Sequence, residues 1–144
     1  MSRTKQASPK VLLDTSVAVA LCVADHVGHS AAIEAVGLRP IGLPGHAWFE
    51  TFSVLTRLPA PQRRTPSEVI DMMNANFPSR VFASESAQQR LIEELRSIGI
   101  AGGAIYDALV ALGARQAGLP LLSADRRAIA TYALLDVEVE LVDY

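Results

Sequence analysis

A three-layer α/β/α domain around a mainly parallel sheet is what this sequence predicts, from three observations. Short, wholly apolar runs such as Val11-Leu12-Leu13 and Leu121-Leu122 have the character of strands buried on both faces. Longer segments with apolar residues at helical spacing alternate with them, the clearest being Ala104 to Ala117. No internal repeat, low-complexity tract or linker interrupts the alternation, which implies a parallel sheet between two helical layers.

In chain order, residues 1–10 are polar and read as a loose N-terminal segment, with a single domain over 11–144. Val11 to Leu13 is a strand, with Asp14 at its carboxyl end. Ser16 to Ala24 and Ser30 to Val36 read as helices rich in alanine and valine, separated at Asp25-His26-Val27-Gly28. Pro40 to Leu43 is a second strand, ended by Pro44-Gly45. His46 to Leu58 is a helix stopped by Pro59, with Phe49, Phe52, Leu55 and Leu58 along one stripe. A helix with proline in its first turn spans Pro66 to Asn76. Arg80 to Ala83 is a strand and Ser86 to Ile98 a helix. The pair Gly102-Gly103 starts the helix Ala104 to Ala117, and Gly118 with Pro120 ends it. Leu121-Leu122 as a strand, Ala124 to Thr131 as a short helix and Val137 to Val142 as a last strand complete the chain.

Composition narrows the chemistry. The 144 residues are enough for one domain with a substantial core. Half are apolar and mean hydropathy is +0.25, so some apolar surface is expected to be covered by a partner, and a dimer, expected as a homodimer, or a tight heteromer is anticipated. Net charge is −2, so any nucleic-acid contact must use local positive charge. The lysines are Lys5 and Lys10, against eleven arginines, which removes P-loop and Schiff-base chemistry further along the chain. Cys22 is alone, excluding a disulfide framework or thiolate zinc cluster and suiting a cytoplasmic location. Arg3, Lys5 and Lys10 before an apolar stretch imitate a secretory signal, but Asp14 interrupts it. No segment has the roughly 20 apolar residues of a membrane span.

In a parallel sheet the strands rise to their carboxyl edge and the following helices begin there. Four acids fall at that level. Asp14 ends the first strand, Glu50 lies in the first turns of the helix after the second, Asp107 follows Gly102-Gly103, and Asp125 closes Leu121-Leu122. The 18-residue step from Asp107 to Asp125 is one helix down and one strand up. Each acid alone has a local explanation, as a helix cap or a complement to a helix dipole. Together, carboxylates within about 6 Å repel by roughly 3 kcal/mol per pair at an effective dielectric of 20. A divalent cation relieves that repulsion, and oxygen-only ligands point to Mg²⁺ or Mn²⁺.

Leu13-Asp14-Thr15-Ser16, Glu50 in Trp-Phe-Glu-Thr, Ile105-Tyr106-Asp107-Ala108-Leu109-Val110-Ala111 and Ser123-Ala124-Asp125 resemble the four acidic motifs of PIN domains, above all VapC-type toxins of toxin–antitoxin pairs. The resemblance runs in order from about residue 11 to 142, and the third and fourth motifs are its most specific parts. It implies that Asp14, Glu50, Asp107 and Asp125 are the catalytic acids and that Asp14, Asp107 and Asp125 hold the metal. Ser16 and Ser123 match supporting hydroxyl positions, with Ser123 where threonine is more usual. The family implies metal-dependent cleavage of RNA phosphodiesters, and an antitoxin that blocks the site. That antitoxin is expected to cover the helices around 16–24 and 48–58 and to present an arginine to the acids.

Arg57, Arg63, Arg64, Arg126 and Arg127 are candidate contacts to RNA phosphates. His26, His29 and His46 read as helix-cap or surface residues, Trp48 and Phe49 as core or interface, and Cys22 as a small buried apolar group. Two other readings fit the residues less well. A haloacid-dehalogenase-like phosphatase wants a second Asp where Ser16 stands and a downstream lysine that is missing; a non-catalytic PIN-fold binding module would tolerate loss of an acid, yet all four are present.

Overall fold

The computed structural model describes residues 7–144; of the segment expected to be loose, residues 1–6 lie outside the described residues. The element order is β1 (Val11–Leu13), α1 (Thr15–Cys22), α2 (His29–Val36), β2 (Ile41–Pro44), α3 (Gly45–Thr56), α4 (Pro66–Asn76), β3 (Arg80–Val81), α5 (Glu85–Ile98), α6 (Ala104–Ala117), β4 (Leu121–Ser123), α7 (Arg126–Leu134) and β5 (Val139–Leu141). The strands form one sheet in the order β3-β2-β1-β4-β5, parallel at every pairing.

Alternation along the central strands divides the core in two. Val11 and Leu13 of β1, with Leu122 of β4, face a cluster built from α1 to α4 that includes Val17, Leu55, Met73 and Phe77. Leu12 and Leu121 face the other way, into a cluster with Leu91, Leu95, Ala111, Leu112 and Tyr132 from α5, α6 and α7. Burial of consecutive residues on both faces is why these strands carry no polar alternation. All three residues of β1 are fully buried.

The strand order has a consequence for function. From β1 the chain moves outward through β2 to β3, then crosses back to place β4 on the other side of β1. The connections leaving β1 and β4 therefore diverge, opening a crevice at the carboxyl ends of these two strands, where ligands of open α/β sheets bind.

Several element ends differ from expectation, each for a local reason. The seventh helix was expected over Ala124 to Thr131 but runs Arg126–Leu134, because the Asp125 carboxylate accepts from Arg127 N at 3.0 Å and Ala128 N at 3.3 Å and so caps the helix from outside. The last strand is shorter than 137–142, since Val137 N turns back to Tyr132 O and Asp136 sits at φ 60°. The third helix ends at Thr56, two residues early: Pro59 disfavours helical backbone at Leu58. β3 covers Arg80–Val81, half the expected span.

Away from the crevice, Ser84 caps α5 by accepting from Ala87 N at 3.2 Å. Ser84→Ala is expected to cost about 1 kcal/mol and to lower the melting temperature by about 3 °C, with an unchanged far-UV circular dichroism spectrum. Thermal melts followed at 222 nm would check both.

Candidate active site

Each acid is carried to the crevice by a different element. Asp14 follows β1 and is the N-cap of α1; its side chain accepts from Val17 N. Glu50 lies in α3, in the second turn above the carboxyl end of β2. Asp107 is in the first turn of α6, and Asp125 follows β4 as the cap of α7. All four line one cavity of about 230 Å³, together with Thr15, Ser16 and Tyr132.

Asp14 is the most constrained of them, at 2% exposure. Its Oδ1 accepts from Ser16 Oγ and Val17 N, and its Oδ2 from Ser123 Oγ and, at 3.0 Å, from Tyr132 OH. The direction of both serine bonds is fixed. Ser16 Oγ accepts from Ala124 N at 3.0 Å and Ser123 Oγ accepts from Asp125 N at 3.1 Å, so each hydroxyl proton is free to turn toward Asp14. The β4–α7 turn is thereby tied to the end of β1. Glu50 is held more loosely, accepting from Thr15 Oγ1 at 3.2 Å with His46 Nε2 at 3.6 Å. The His46 ring stacks on Tyr106 with centroids 5.6 Å apart.

The electrostatics are those of an uncompensated acidic cluster. Burial pushes Asp14 up from the ordinary carboxylate range, against the lowering effect of its hydrogen bonds to Ser123, Ser16, Val17 and Tyr132. Glu50 is raised first by burial, with the Asp14 charge adding and the Thr15 bond opposing. Asp107 is pushed up to about 6, by burial and then by the charges of Asp125, Glu50 and Asp14, against Arg127. Burial lowers His46, with Asp107 opposing. Burial and the Asp14 charge push the Tyr132 phenol far up, so it remains a donor.

Such a set, all oxygen and all anionic, suits a hard divalent cation. Among the described residues no three acids or histidines stand close enough to grip one ion directly. In this arrangement Asp14 already accepts four hydrogen bonds. Ligation then needs a small inward rotation of carboxylates or bridging waters, which Mg²⁺ commonly retains.

Of the five arginines singled out, Arg127 is brought to the acids; it shares a neighbouring cavity of about 390 Å³ with Gly103, Ala104, Asp107, Asp125 and Thr131. Arg126 is paired with Asp143 at 3.1 Å. Arg57 caps the carboxyl end of α3, seven residues and roughly 10 Å beyond Glu50. Arg63 donates to Leu58 O, and Arg64 faces Glu68 at 3.8 Å in a cavity lined by Cys22, Val23, Ala24 and Asp25, at the end of α1 away from Asp14. Trp48 is partly buried under the Arg80 guanidinium, 3.5 Å from its ring centroid, while Phe49 is 64% exposed.

Three participants escaped the sequence reading: Thr15, His46 and Tyr132. Helical spacing held signals for two of them. His46 is four residues before Glu50, and Tyr132 is seven after Asp125, so each shares a helix face with its acid.

Known proteins resemble this chain in sequence and in fold. A family model described as PIN domain matches residues 11–134. Ribonuclease VapC40 of Mycobacterium tuberculosis is 45% identical over 130 residues, 90% of this chain and 96% of that protein. Ribonuclease VapC27 of the same species is 39% identical over 131 residues, 91% of this chain and 96% of that protein. Among solved structures, M. tuberculosis VapC20, described as a sarcin-ricin loop cleaving toxin, superposes with a TM-score of 0.66 at 18% identity, covering 83% of this chain and 93% of that one. VapBC2 from Rickettsia felis, bound to a DNA fragment from its promoter, gives a TM-score of 0.66 at 15% identity over 92% of this chain and 98% of that one. At these identities the two structures speak for the fold.

Proposed function

The chain belongs to the PIN domain family, and on that premise we propose that it is an endoribonuclease, the toxin of a toxin–antitoxin pair, hydrolysing RNA phosphodiesters with the help of a divalent cation. The observation that carries this reading is the convergence of Asp14, Glu50, Asp107 and Asp125, from four separate parts of the chain, on one cavity at the switch point of the sheet. A binding module has no use for such a cluster, which costs stability through repulsion.

Asp14, Asp107 and Asp125 would hold the cation, Mg²⁺ or Mn²⁺, which supplies positive charge for the scissile phosphate and acidifies a water. Ser16 and Ser123 keep Asp14 oriented through their directed hydroxyl bonds. Glu50, outside the metal-holding set and raised by burial, is placed to take a proton at its carboxylate. Arg127, beside Asp107, supplies a cation for an adjoining RNA phosphate.

The partner assignments follow the same reading. Solved relatives include VapBC complexes, which supports a cognate antitoxin here. The cavity between α1, α3 and α4, lined by Cys22, Val23, Leu55, Leu58 and Met72, supports docking of its apolar segment. A homodimer is supported by Phe49, Phe82 and Tyr106, all more than half exposed. Among the described residues no helix is long and apolar enough to cross a membrane. The proposed RNA substrate is the ground for placing the action in the cytoplasm.

Purified protein is expected to cleave total cellular RNA with millimolar Mn²⁺ and to stop on addition of EDTA; cleavage that persists in EDTA would reject the cation-dependent reading. Light scattering at tens of micromolar should return a dimer, and a monomer would reject that assignment.

A further inference from the structure

Tyr132 is in α7, seven residues beyond Asp125, so the helix that Asp125 caps returns a second group to the same cavity two turns later. Its side chain is 2% exposed, yet the ring carries a hydroxyl where phenylalanine would pack as well, and that hydroxyl donates to Asp14 Oδ2.

The four donors to Asp14 divide by origin. Those on Oδ1, Ser16 and Val17 N, belong to the turn that Asp14 itself begins and move with it. Those on Oδ2, Ser123 from the end of β4 and Tyr132 from α7, come from elements on the far side of the crevice. The outside groups set the plane of the carboxylate relative to Asp107 and Asp125 directly, whereas Ser16 does so only through its own bond from Ala124 N. A single donor leaves a pivot, whereas two donors from two elements fix the plane. Resting on the cation reading of this cavity, we propose that Tyr132 is a positioning residue. Together with Ser123 it fixes Oδ2, and with it the plane in which the Asp14 carboxylate faces the cavity, so the hydroxyl acts through Asp14.

The test is Mn²⁺ binding to the full chain, read from the loss of the free-ion electron paramagnetic resonance signal. Wild type is compared with Tyr132→Phe and with 4-aminophenylalanine at position 132, which restores an N–H donor in place of the hydroxyl. Tyr132→Phe is expected to keep the wild-type circular dichroism spectrum and to bind Mn²⁺ about 10- to 100-fold more weakly. The aminophenyl variant should recover most of that loss, a rescue that a packing role would not produce. Equal or tighter binding by Tyr132→Phe overturns the proposal, and so does failure of the rescue. Should Tyr132→Phe not fold, 4-methylphenylalanine, which fills the hydroxyl's space without a donor, replaces it against the aminophenyl variant with the same outcomes. Absence of Mn²⁺ binding by wild type itself would overturn the cation reading and this inference with it, and is distinguishable because wild type is measured first.

Discussion

Asp107→Asn is expected to reduce RNA cleavage by about 10³-fold or more, the scale set by several kcal/mol of lost charge stabilisation. The fold should survive. Asp107 is partly exposed in the first turn of α6, and the substitution removes a charge that three other acids repel. Asp14→Asn should abolish cleavage as well, but with a second effect. The Asn amide would turn an NH₂ toward either Ser16 and Val17 N or Ser123 and Tyr132, setting donor against donor at a nearly buried position. That costs about 1–3 kcal/mol, so an inactive Asp14→Asn protein is ambiguous where an inactive Asp107→Asn protein is not. Initial rates on a labelled RNA at saturating Mn²⁺, beside thermal melts of both variants, separate the two effects. More than a tenth of wild-type activity in Asp107→Asn would remove that residue from the mechanism.

The sheet and the acidic edge were legible because they depend on local features. Val11-Leu12-Leu13 and Leu121-Leu122 have no polar alternation because helices cover both faces, and that pattern is visible in the residues themselves. The placement of Asp14 and Asp125 just after β1 and β4 follows from the same reading, and these strands do lie side by side. What escaped depends on where helices end and on rotation about their axes. Tyr132 falls one residue beyond the helix expected over Ala124 to Thr131, and its approach to Asp14 is visible only once α7 runs on to Leu134. Arg126 and Arg127 are neighbours in sequence, yet a 100° turn of helix sends one to Asp143 and the other to the rim beside Asp107. The position of Asp125 in the sequence suits either an acid of the cluster or a cap, and the fold makes it both: its carboxylate lines the cavity while accepting two N–H groups of α7.

The second large effect is on stability and needs no RNA. In metal-free protein Asp107 has a folded-state pKa pushed up to about 6, against roughly 3.9 for an unfolded aspartate. The folded state therefore binds the proton more tightly than the unfolded state does. Protonated Asp107 is the stabilising form: its contribution is full below about pH 4 and is lost as pH rises through 6. At pH 7.5 the ionised group is a net cost. Because Asp107 is only partly buried, about 1–2 kcal/mol of that cost is realised. Asp107→Asn in EDTA is accordingly expected to melt about 3–6 °C above wild type at pH 7.5, and the gap should close as pH falls toward 4.5. The gap is the readout because His46, lowered by burial, destabilises the fold on acidification and would mask Asp107 in wild type alone; the Asp107 charge opposes that lowering, so its loss lowers His46 further and closes the gap in the same direction as pH falls. Nearer pH 4, Glu94 with Arg115 and Glu140 with Arg39 lose their ion pairs in both proteins alike. Mn²⁺ at about 100 times its dissociation constant should add about 2.7 kcal/mol to wild type by mass action, roughly 5–10 °C in melting temperature, and much less to Asp107→Asn. Wild type with Mn²⁺ would then overtake the variant that exceeds it in EDTA. A variant that melts below wild type in EDTA, with an undiminished response to Mn²⁺, would mean that Asp107 serves the start of α6 and not the cation.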